Sequence, residues 1–132
     1  MPLNKSELNK LLTETEICYI ATTKSNGDPH LMPVWFIWYK GKIYFETDKT
    51  TVKFANIQRH NRVMICFGGK NTYLVEGSVK WFTEKELGFP IRKMYRDKYG
   101  MDMDDSYITE KTLLFEVTPG KTQSWHYAPK WD

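Results

Sequence analysis

The hydrophobic pattern of this chain consists mainly of short apolar runs separated by polar turn residues. Some runs alternate with the period of a strand, and others are continuously apolar and rich in valine, isoleucine and aromatic residues. The strands predicted from this pattern cover residues 17–23, 30–39, 42–47, 62–68, 72–82, 112–118 and 121–126. Helices are predicted over residues 6–14, 51–60 and 84–98. Because turn signals recur between short strands with few intervening helices, the pattern favours a mainly β protein with an antiparallel barrel.

Glycine and proline mark the boundaries of these elements. Asn26-Gly27 tolerates positive φ and predicts a hairpin turn, and Lys40-Gly41 predicts a second tight turn. Pro119-Gly120 predicts a turn between the last two strands. Gly77 lies inside a predicted strand, where a glycine indicates a bulge or a close approach of another backbone segment. Residues 100–110 are polar and predict a loop.

The predicted strand over residues 30–39 is apolar on both faces. One face carries His30, Met32, Val34, Phe36 and Trp38, and the other carries Leu31, Pro33, Trp35, Ile37 and Tyr39. One face therefore lines a core, while the other needs a second cover from a helix, a partner subunit or a flat ligand. The proline in the middle of the strand cannot donate to a ladder, so it predicts a sheet edge or a bulge.

The start of the helix over residues 51–60 combines hydroxyl groups with cations. Asp48, Thr50 and Thr51 are all suitable N-cap residues. Helix starts favour acidic residues, but this one has Lys49 and Lys53 around its first turn. Lysines, hydroxyls and exposed helix N–H groups together predict a phosphate site. The alternative interpretation is a solvated basic turn.

Composition and charge restrict the possible functions. The 132 residues are 41% hydrophobic and 15% aromatic, which predicts a single domain, residues 1–132, with a substantial core. The net charge of +3 permits an anionic ligand but does not call for nucleic acid. The polar N-terminus contains no signal peptide and no apolar run has membrane length, so we expect a cytoplasmic protein without a membrane partner.

No cluster of residues in the sequence identifies a catalytic or metal site. Cys18 and Cys66 lie far apart in apolar runs, and the three histidines are scattered, so we expect core thiols and no metal. Paired carboxylates and activated nucleophiles are missing from the sequence, which leaves the catalytic residues unknown. The third predicted helix carries the basic residues Arg92, Lys93, Arg96 and Lys98. We expect these residues to form a solvated face, with recognition of an acidic substrate as the alternative.

Four adjacent motifs in the first two thirds of the chain are specific as a combination. They are the opening hairpin YIATTKSNGDPH (19–30), the strand MPVWF (32–36), the return strand YFET (44–47) and the helix start TVK (51–53). Together they resemble the pyridoxamine 5′-phosphate oxidase-like, FMN-binding split-barrel family. The resemblance implies a six-stranded antiparallel split barrel, a homodimer, and FMN bound at the dimer interface.

The resemblance also implies which residues bind the cofactor. Lys53 and Thr51 would hold the FMN phosphate, and the segment 32–35 would lie along the isoalloxazine ring. The implied set is Met32, Pro33, Val34, Trp35, Glu46, Thr47, Lys49, Thr51, Lys53, Asn56 and Trp125. Lys49 is included because Val52 stands where the family has an arginine before the phosphate lysine.

Two members of this set have alternative interpretations. Trp125 resembles a C-terminal tryptophan that can reach the flavin of the partner subunit, but aromatic residues are also common in cores and interfaces. Asn56 matches a polar position one helical turn after the phosphate residues, and its alternative role is hydrogen bonding on the helix surface.

The function implied by the resemblance is that of an FMN-dependent oxidoreductase acting on a small molecule. The flavin would supply the redox chemistry and the protein its position and electrostatics. The C-terminal sequence SWHYAPKWD lacks the arginine of dedicated vitamin B6 oxidases, so the substrate stays open. Three alternatives remain: a reductase that binds the deazaflavin F420, a non-enzymatic flavin carrier, and a barrel that binds single-stranded nucleic acid by stacking. The last ranks lowest because 16 acidic residues balance the lysines and arginines.

Overall fold

A computed structural model describes residues 2–101 and 109–126 of the chain. Most of the predicted loop over residues 100–110 and the C-terminal tail lie outside these ranges. The helices are α1 (Lys5–Glu14), α2 (Val52–Arg59), α3 (Glu84–Leu87) and α4 (Ile91–Tyr99). The strands are β1 (Ile17–Thr23), β2 (Pro29–Trp35), β3 (Ile37–Tyr39), β4 (Lys42–Asp48), β5 (Arg62–Phe67), β6 (Asn71–Phe82) and β7 (Thr112–His126).

The strands form one antiparallel sheet in the order β2-β1-β5-β6-β7-β4-β3. The two edge strands, β2 and β3, follow each other in the chain and are separated only by Phe36. The sheet therefore curls until its two edges meet at a single residue, which gives a split barrel. This confirms the predicted mainly β fold, with seven strands where the family resemblance implied six.

The strand predicted over residues 30–39 is divided at Phe36, where the chain passes from one sheet edge to the other. Tyr99 and Lys98 of α4 bind the backbone at this point. The Phe36 N–H donates to the Tyr99 hydroxyl at 2.9 Å, and the Phe36 carbonyl accepts from Lys98 Nζ at 3.2 Å. The Phe36 ring is fully buried and packs edge-on against Phe67. These side-chain partners replace the ladder bonds that a continuous strand would have made. The edge that Pro33 predicted is present, because β2 pairs only with β1 in the sheet.

The turn predicted at Pro119-Gly120 is wrong, because β7 runs through both residues as one strand. Opposite them, the register of β6 shifts between Glu76 and Gly77, and Gly77 pairs with Pro119. A Cβ atom at Gly77 would lie 2.7 Å from the Thr118 carbonyl oxygen, so only glycine permits this approach. The bulge predicted at Gly77 is therefore confirmed, and its extra residue is Gly120 of β7, because Glu76 pairs with Lys121 and Gly77 with Pro119.

Apolar side chains form two clusters on opposite sides of the sheet. The inner cluster fills the barrel and includes the buried rings Phe36, Phe45, Phe67 and Phe115. The outer cluster lies under α4, where Ile91 and Tyr95 pack against Tyr44 and Leu114. Strand β4 thus contributes alternate residues to both clusters and is held from both sides. The start of α2 therefore follows a firmly supported strand.

The helical region predicted over residues 84–98 consists of α3 and α4, which are separated at Gly88 (φ 75°) and Pro90 as expected. Arg92 pairs with Glu84, and Lys93 pairs with Asp97 one turn along α4. The prediction of a solvated face is wrong for Lys98, which turns inward to the Phe36 carbonyl. In the described parts of the chain, no helix has the length and apolar character needed to cross a membrane.

Candidate functional site

The first turn of α2 is fixed to the end of β4 by hydroxyl groups. Thr51 is the N-cap, and its hydroxyl accepts from the Phe54 N–H at 3.2 Å while donating to the Asp48 carbonyl at 3.0 Å. The Thr47 hydroxyl lies 3.3 Å from that of Thr51. Asp48 closes the turn by accepting from the N–H and hydroxyl of Thr50, and these bonds lower the pKa of its carboxyl group. The predicted N-cap residues therefore build one compact turn.

Lys53 lies two residues after this cap and is half-buried. Burial lowers the pKa of its ammonium group, and the nearby Glu46 carboxylate partly opposes that shift. The first turn of α2 contains no acidic residue. Within residues 2–101 and 109–126, the ammonium group has no hydrogen-bond or ion-pair partner. A half-buried cation without a partner beside a helix N-terminus favours an anionic ligand.

Glu46 precedes Thr47 on β4 and is also half-buried. Its side chain lies on the sheet face that carries the outer cluster. Its negative charge contributes, after burial, to the raised pKa of the Tyr95 hydroxyl on α4. Burial raises the pKa of the Glu46 carboxyl group, and Lys53 partly opposes this shift. Glu46, Thr47, Thr51 and Lys53 thus belong to one strand-to-helix corner of the barrel, where the Thr47 and Thr51 hydroxyls lie 3.3 Å apart and the charges of Glu46 and Lys53 influence each other.

Asn56 connects this corner to the opposite wall of the barrel. It is buried, and its Nδ2 donates to the Thr22 hydroxyl of β1 at 3.0 Å, while its Oδ1 accepts from Arg59 at 2.8 Å. Thr22 pairs with His30 of β2, whose Nδ1 is buried with no hydrogen-bond partner in the described parts of the chain. Asn56 thus bonds inside the protein rather than on the helix surface.

Sequence reasoning missed Thr22 and His30. A buried threonine in an apolar strand was the signal for Thr22, since such a hydroxyl needs a partner. His30 carries no such signal, because the sequence does not show which residue lies opposite it across the strand pair. An orphaned buried nitrogen at this corner is a further polar atom that suits a ligand.

The segment 32–35 lies on β2, and its side chains point to different environments. Met32 is 39% exposed and Pro33 is exposed. Val34 belongs to the inner core, and the Trp35 ring stacks on Tyr99 with centroids 4.3 Å apart. The side chains of Val34 and Trp35 are thus already committed to packing, while the backbone of the edge strand remains open to a ligand.

Of the two remaining predicted site residues, Lys49 lies between Asp48 and Thr50 in this turn, and Trp125 lies elsewhere in the chain. Lys49 is exposed, and its N–H donates to the Lys111 carbonyl at 2.8 Å. Trp125 pairs with Thr72 near the end of β7, whereas the start of β7 pairs with the end of β4. The described residues contain no cluster of histidine, cysteine and carboxylate side chains that could hold a metal.

The curled antiparallel sheet defines a split-barrel protein. Within residues 2–101 and 109–126, Lys53 at the start of α2 has no hydrogen bond or ion pair, so this helix start is a candidate anion site. A family model described as pyridoxamine 5′-phosphate oxidase matches residues 5–126. The chain therefore belongs to the pyridoxamine 5′-phosphate oxidase family.

Solved structures share this fold at low sequence identity. A conserved hypothetical protein from Mycobacterium tuberculosis has a TM-score of 0.81 and 21% identity, covering 94% of this chain and 85% of that one. An F420 reductase has a TM-score of 0.69 and 19% identity, covering 86% and 94%. A pyridoxamine 5′-phosphate oxidase-related, FMN-binding protein from Nostoc punctiforme has a TM-score of 0.66 and 16% identity, covering 97% and 92%. At such identities the likeness shows the fold alone. No curated protein sequence matches the chain significantly.

Proposed function

We propose that this protein binds FMN and acts as an FMN-dependent oxidoreductase on a small molecule, with the FMN phosphate held at the start of α2. The observation that carries the proposal is Lys53, a half-buried cation at the start of α2 that has the Glu46 carboxylate nearby but no hydrogen bond or ion pair within the described residues. The family match and the FMN-binding neighbour from Nostoc punctiforme support the choice of cofactor.

The residues at the corner fit a phosphate group. Lys53 Nζ would contribute the charge, and the N–H groups of Val52 and Lys53, at the first positions of the helix, would donate to phosphate oxygens. The Thr47 hydroxyl would support the site by donating to the Thr51 hydroxyl, whose own proton goes to the Asp48 carbonyl. Val52 is 56% exposed and adds no charge where the family carries an arginine, so the site depends strongly on one lysine.

The ring of the flavin would lie along the exposed edge strand β2, beside Met32 and Pro33. When bound, FMN supplies the ability to accept and release electrons. The chain itself would hold the phosphate, orient the ring through the backbone of β2 and exclude water from one ring face. A change in the flavin spectrum when a substrate is added would indicate an enzyme. An unchanged spectrum would indicate a flavin carrier.

A titration with two flavins tests the phosphate site. The hydrogen bonds and charge of Lys53 are expected to contribute about 1.5–3 kcal/mol, so Lys53→Ala should weaken FMN binding about tenfold to a hundredfold. Riboflavin lacks the phosphate, and its affinity should hardly change. Val52→Arg restores the cation of the family pattern and should tighten FMN binding only.

The matched control is Lys10→Ala, which removes an exposed lysine from α1. It should leave both affinities unchanged. Equal losses for FMN and riboflavin in Lys53→Ala, or no loss for either, would remove Lys53 from the phosphate site.

A homodimer would complete the ring site. The outer face of β2, β1 and β5 exposes Leu31 and Met64, which flank Ala21 in the strand register, and Tyr19, which lies two residues from Ala21 on the same face of β1. A second copy packing on this face could bury about 1,200–2,000 Å² in total and bring its own Trp125 to the flavin. Sedimentation should give twice the chain mass of 15.7 kDa, and Leu31→Glu should give a monomer with weakened FMN affinity. A wild-type monomer that binds FMN tightly would contradict the shared site.

The deazaflavin F420 is the second candidate cofactor. The F420 reductase among the structural neighbours favours it, and F420 also carries a phosphate that the α2 corner would accept. The mass of the ligand released from purified protein distinguishes the two cofactors directly.

A further inference from the structure

His126, the last residue of β7, connects that strand to α1 and to β6. Its Nε2 lies 3.2 Å from a carboxylate oxygen of Glu7 in the first turn of α1, and its Nδ1 lies 2.9 Å from Asn71 Oδ1 on β6. Asn71 is also the residue opposite His126 in the strand pairing. Both ring nitrogens therefore have partners, and the half-buried ring joins three elements.

Glu7 is fixed for this contact by the cap of α1. Its other carboxylate oxygen accepts from the Asn4 N–H at 3.0 Å, and its own N–H donates to Asn4 Oδ1 at 2.9 Å. The two oxygens of one carboxylate thus have separate partners, the start of the helix and His126. Because the carboxylate is held in place by the cap, it can hold the imidazole in place in turn.

A second contact binds β7 two residues earlier, where the Leu3 N–H donates to Ser124 Oγ at 3.0 Å. Ser124 pairs with Tyr73, whose side chain belongs to the inner cluster. Ser124 and His126 therefore face the inside of the barrel, where α1 packs, and Trp125 between them faces the opposite side. The N-terminal segment thus holds both neighbours of Trp125.

The strand register places Trp125 on the sheet face proposed for the dimer. Along β7, Trp125 shares its face with Lys121, which lies opposite Glu76, and Glu76 lies opposite Met64 of β5. Met64 is one of the exposed apolar residues of that face. Contacts on the inside of the barrel therefore fix the backbone that carries a tryptophan on the outside.

We propose that Glu7 and His126 are positioning residues for the flavin site, which hold the end of β7 so that Trp125 of each chain is directed at the flavin bound by its partner. This inference rests on the function and the homodimer proposed above, and it gives α1 a role in the site. An imidazole fixed at both nitrogens restricts the backbone next to Trp125, so less conformational freedom is lost when the indole meets the ring.

The test is titration of FMN and of riboflavin into the full chain. His126→Ala should weaken the binding of both flavins about threefold to tenfold, because Trp125 would contact the ring rather than the phosphate. Trp125→Ala should weaken both by at least as much. In the Trp125→Ala background, His126→Ala should add less than about twofold, since a residue that acts through Trp125 has no effect once the indole is removed.

Substitutions in helix caps give a matched pair. Glu7→Met keeps a long helix-forming side chain but removes the carboxylate, so it should reproduce the loss seen in His126→Ala. It also carries the test if His126→Ala does not fold. Glu86→Met is the control, because Glu86 closes the same kind of cap on α3. It should leave both flavin affinities unchanged.

A measurement without flavin separates positioning from a general loss of stability. In protein labelled with fluorotryptophan, the fluorine NMR signal of Trp125 is assigned by its absence from Trp125→Phe. This signal should shift or broaden in His126→Ala and in Glu7→Met, while the signals of Trp35 and Trp38 stay in place.

An unchanged Trp125 signal, flavin affinities equal to wild type, or losses that simply add to that of Trp125→Ala would each overturn the inference. All three outcomes leave the phosphate site at Lys53 in place. A wild-type protein that binds neither flavin would overturn both the inference and the proposed function.

Discussion

Lys53 and Lys98 are both half-buried lysines, yet the fold surrounds their ammonium groups in opposite ways. Lys98 Nζ lies 3.2 Å from the Phe36 carbonyl oxygen, 3.4 Å from the Leu12 carbonyl oxygen and 3.6 Å from the centre of the Phe36 ring. Lys53 has no such partner in the described residues. Burial lowers the pKa of both groups, that of Lys98 to about 8.

The difference separates a cation that holds the fold together from one that is available to a ligand. The last turn of α1 contains no basic residue of its own, and Lys98 supplies a cation to the Leu12 carbonyl near that helix end. The same ammonium group fixes the backbone where the sheet edges meet. Lys53, by contrast, loses hydration near the Glu46 carboxylate without gaining a hydrogen bond or ion pair among the described residues, as expected of a residue that binds a ligand.

The largest effect expected from this comparison is on stability at Lys98. Lys98→Ala leaves two carbonyl oxygens with fewer donors and uncovers the Phe36 ring, so it should lower the free energy of unfolding by about 1–3 kcal/mol. Urea unfolding followed by tryptophan fluorescence measures this loss. Lys93→Ala is the matched control on the same helix, where the exposed pair with Asp97 should contribute less than about 0.5 kcal/mol. Similar losses for Lys98→Ala and Lys93→Ala would contradict the structural role of Lys98.

A smaller effect is expected from the same substitution at Lys53. Without ligand, Lys53→Ala should change the free energy of unfolding by less than about 0.5 kcal/mol, or stabilise slightly, because a cation no longer opposes the helix dipole. The measurement is urea unfolding of the flavin-free protein. A loss as large as that of Lys98→Ala would mean that Lys53 supports the fold.

The smallest effect is a pH dependence of stability that belongs to Lys98. Its pKa in the folded chain, about 8, lies below the ordinary 10.5, so the charged form is disfavoured by folding. Below pH 8 this cost is fully present, and it disappears as the pH rises from about 8 towards 10.5, so stability should rise in that window. The half-exposed side chain is screened by solvent, which keeps the gain below about 1 kcal/mol. In Lys98→Met, the free energy of unfolding should not rise between pH 8 and 10.5. An identical rise in that variant would mean that other groups cause the pH dependence.

The fold could largely be predicted from the sequence because its strands are marked by local signals. Two of the errors concern strand boundaries, and both arose where a distant partner decided the outcome. Pro119-Gly120 has the composition of a turn, but the space opened by Gly77 lets the chain continue as a strand. The division at Phe36 depends on hydrogen bonds between its backbone and the Tyr99 hydroxyl, which no local pattern around residues 30–39 could reveal.

The candidate site was predictable where its residues follow one another in the chain. Thr47, Thr51 and Lys53 lie within one strand-to-helix connection, and the structure brings them together as the motif suggested. The placement of Thr22 and His30 could not be read from the sequence, because Thr22 meets Asn56 through a side-chain hydrogen bond and His30 lies opposite Thr22 across the strand pair. The role of Trp125 stays a prediction that depends on a second copy of the chain.

The edge strand β2 also bears on the solubility of the protein during folding. An open sheet edge is a template on which other chains can add strands and begin aggregation. Pro29 and Pro33 leave two positions of this seven-residue strand without an N–H donor. An incoming strand that paired along the full length of β2 would meet interruptions in its ladder. The prolines therefore oppose the addition of further strands to this sheet edge. They leave the face of the strand free for a specific contact.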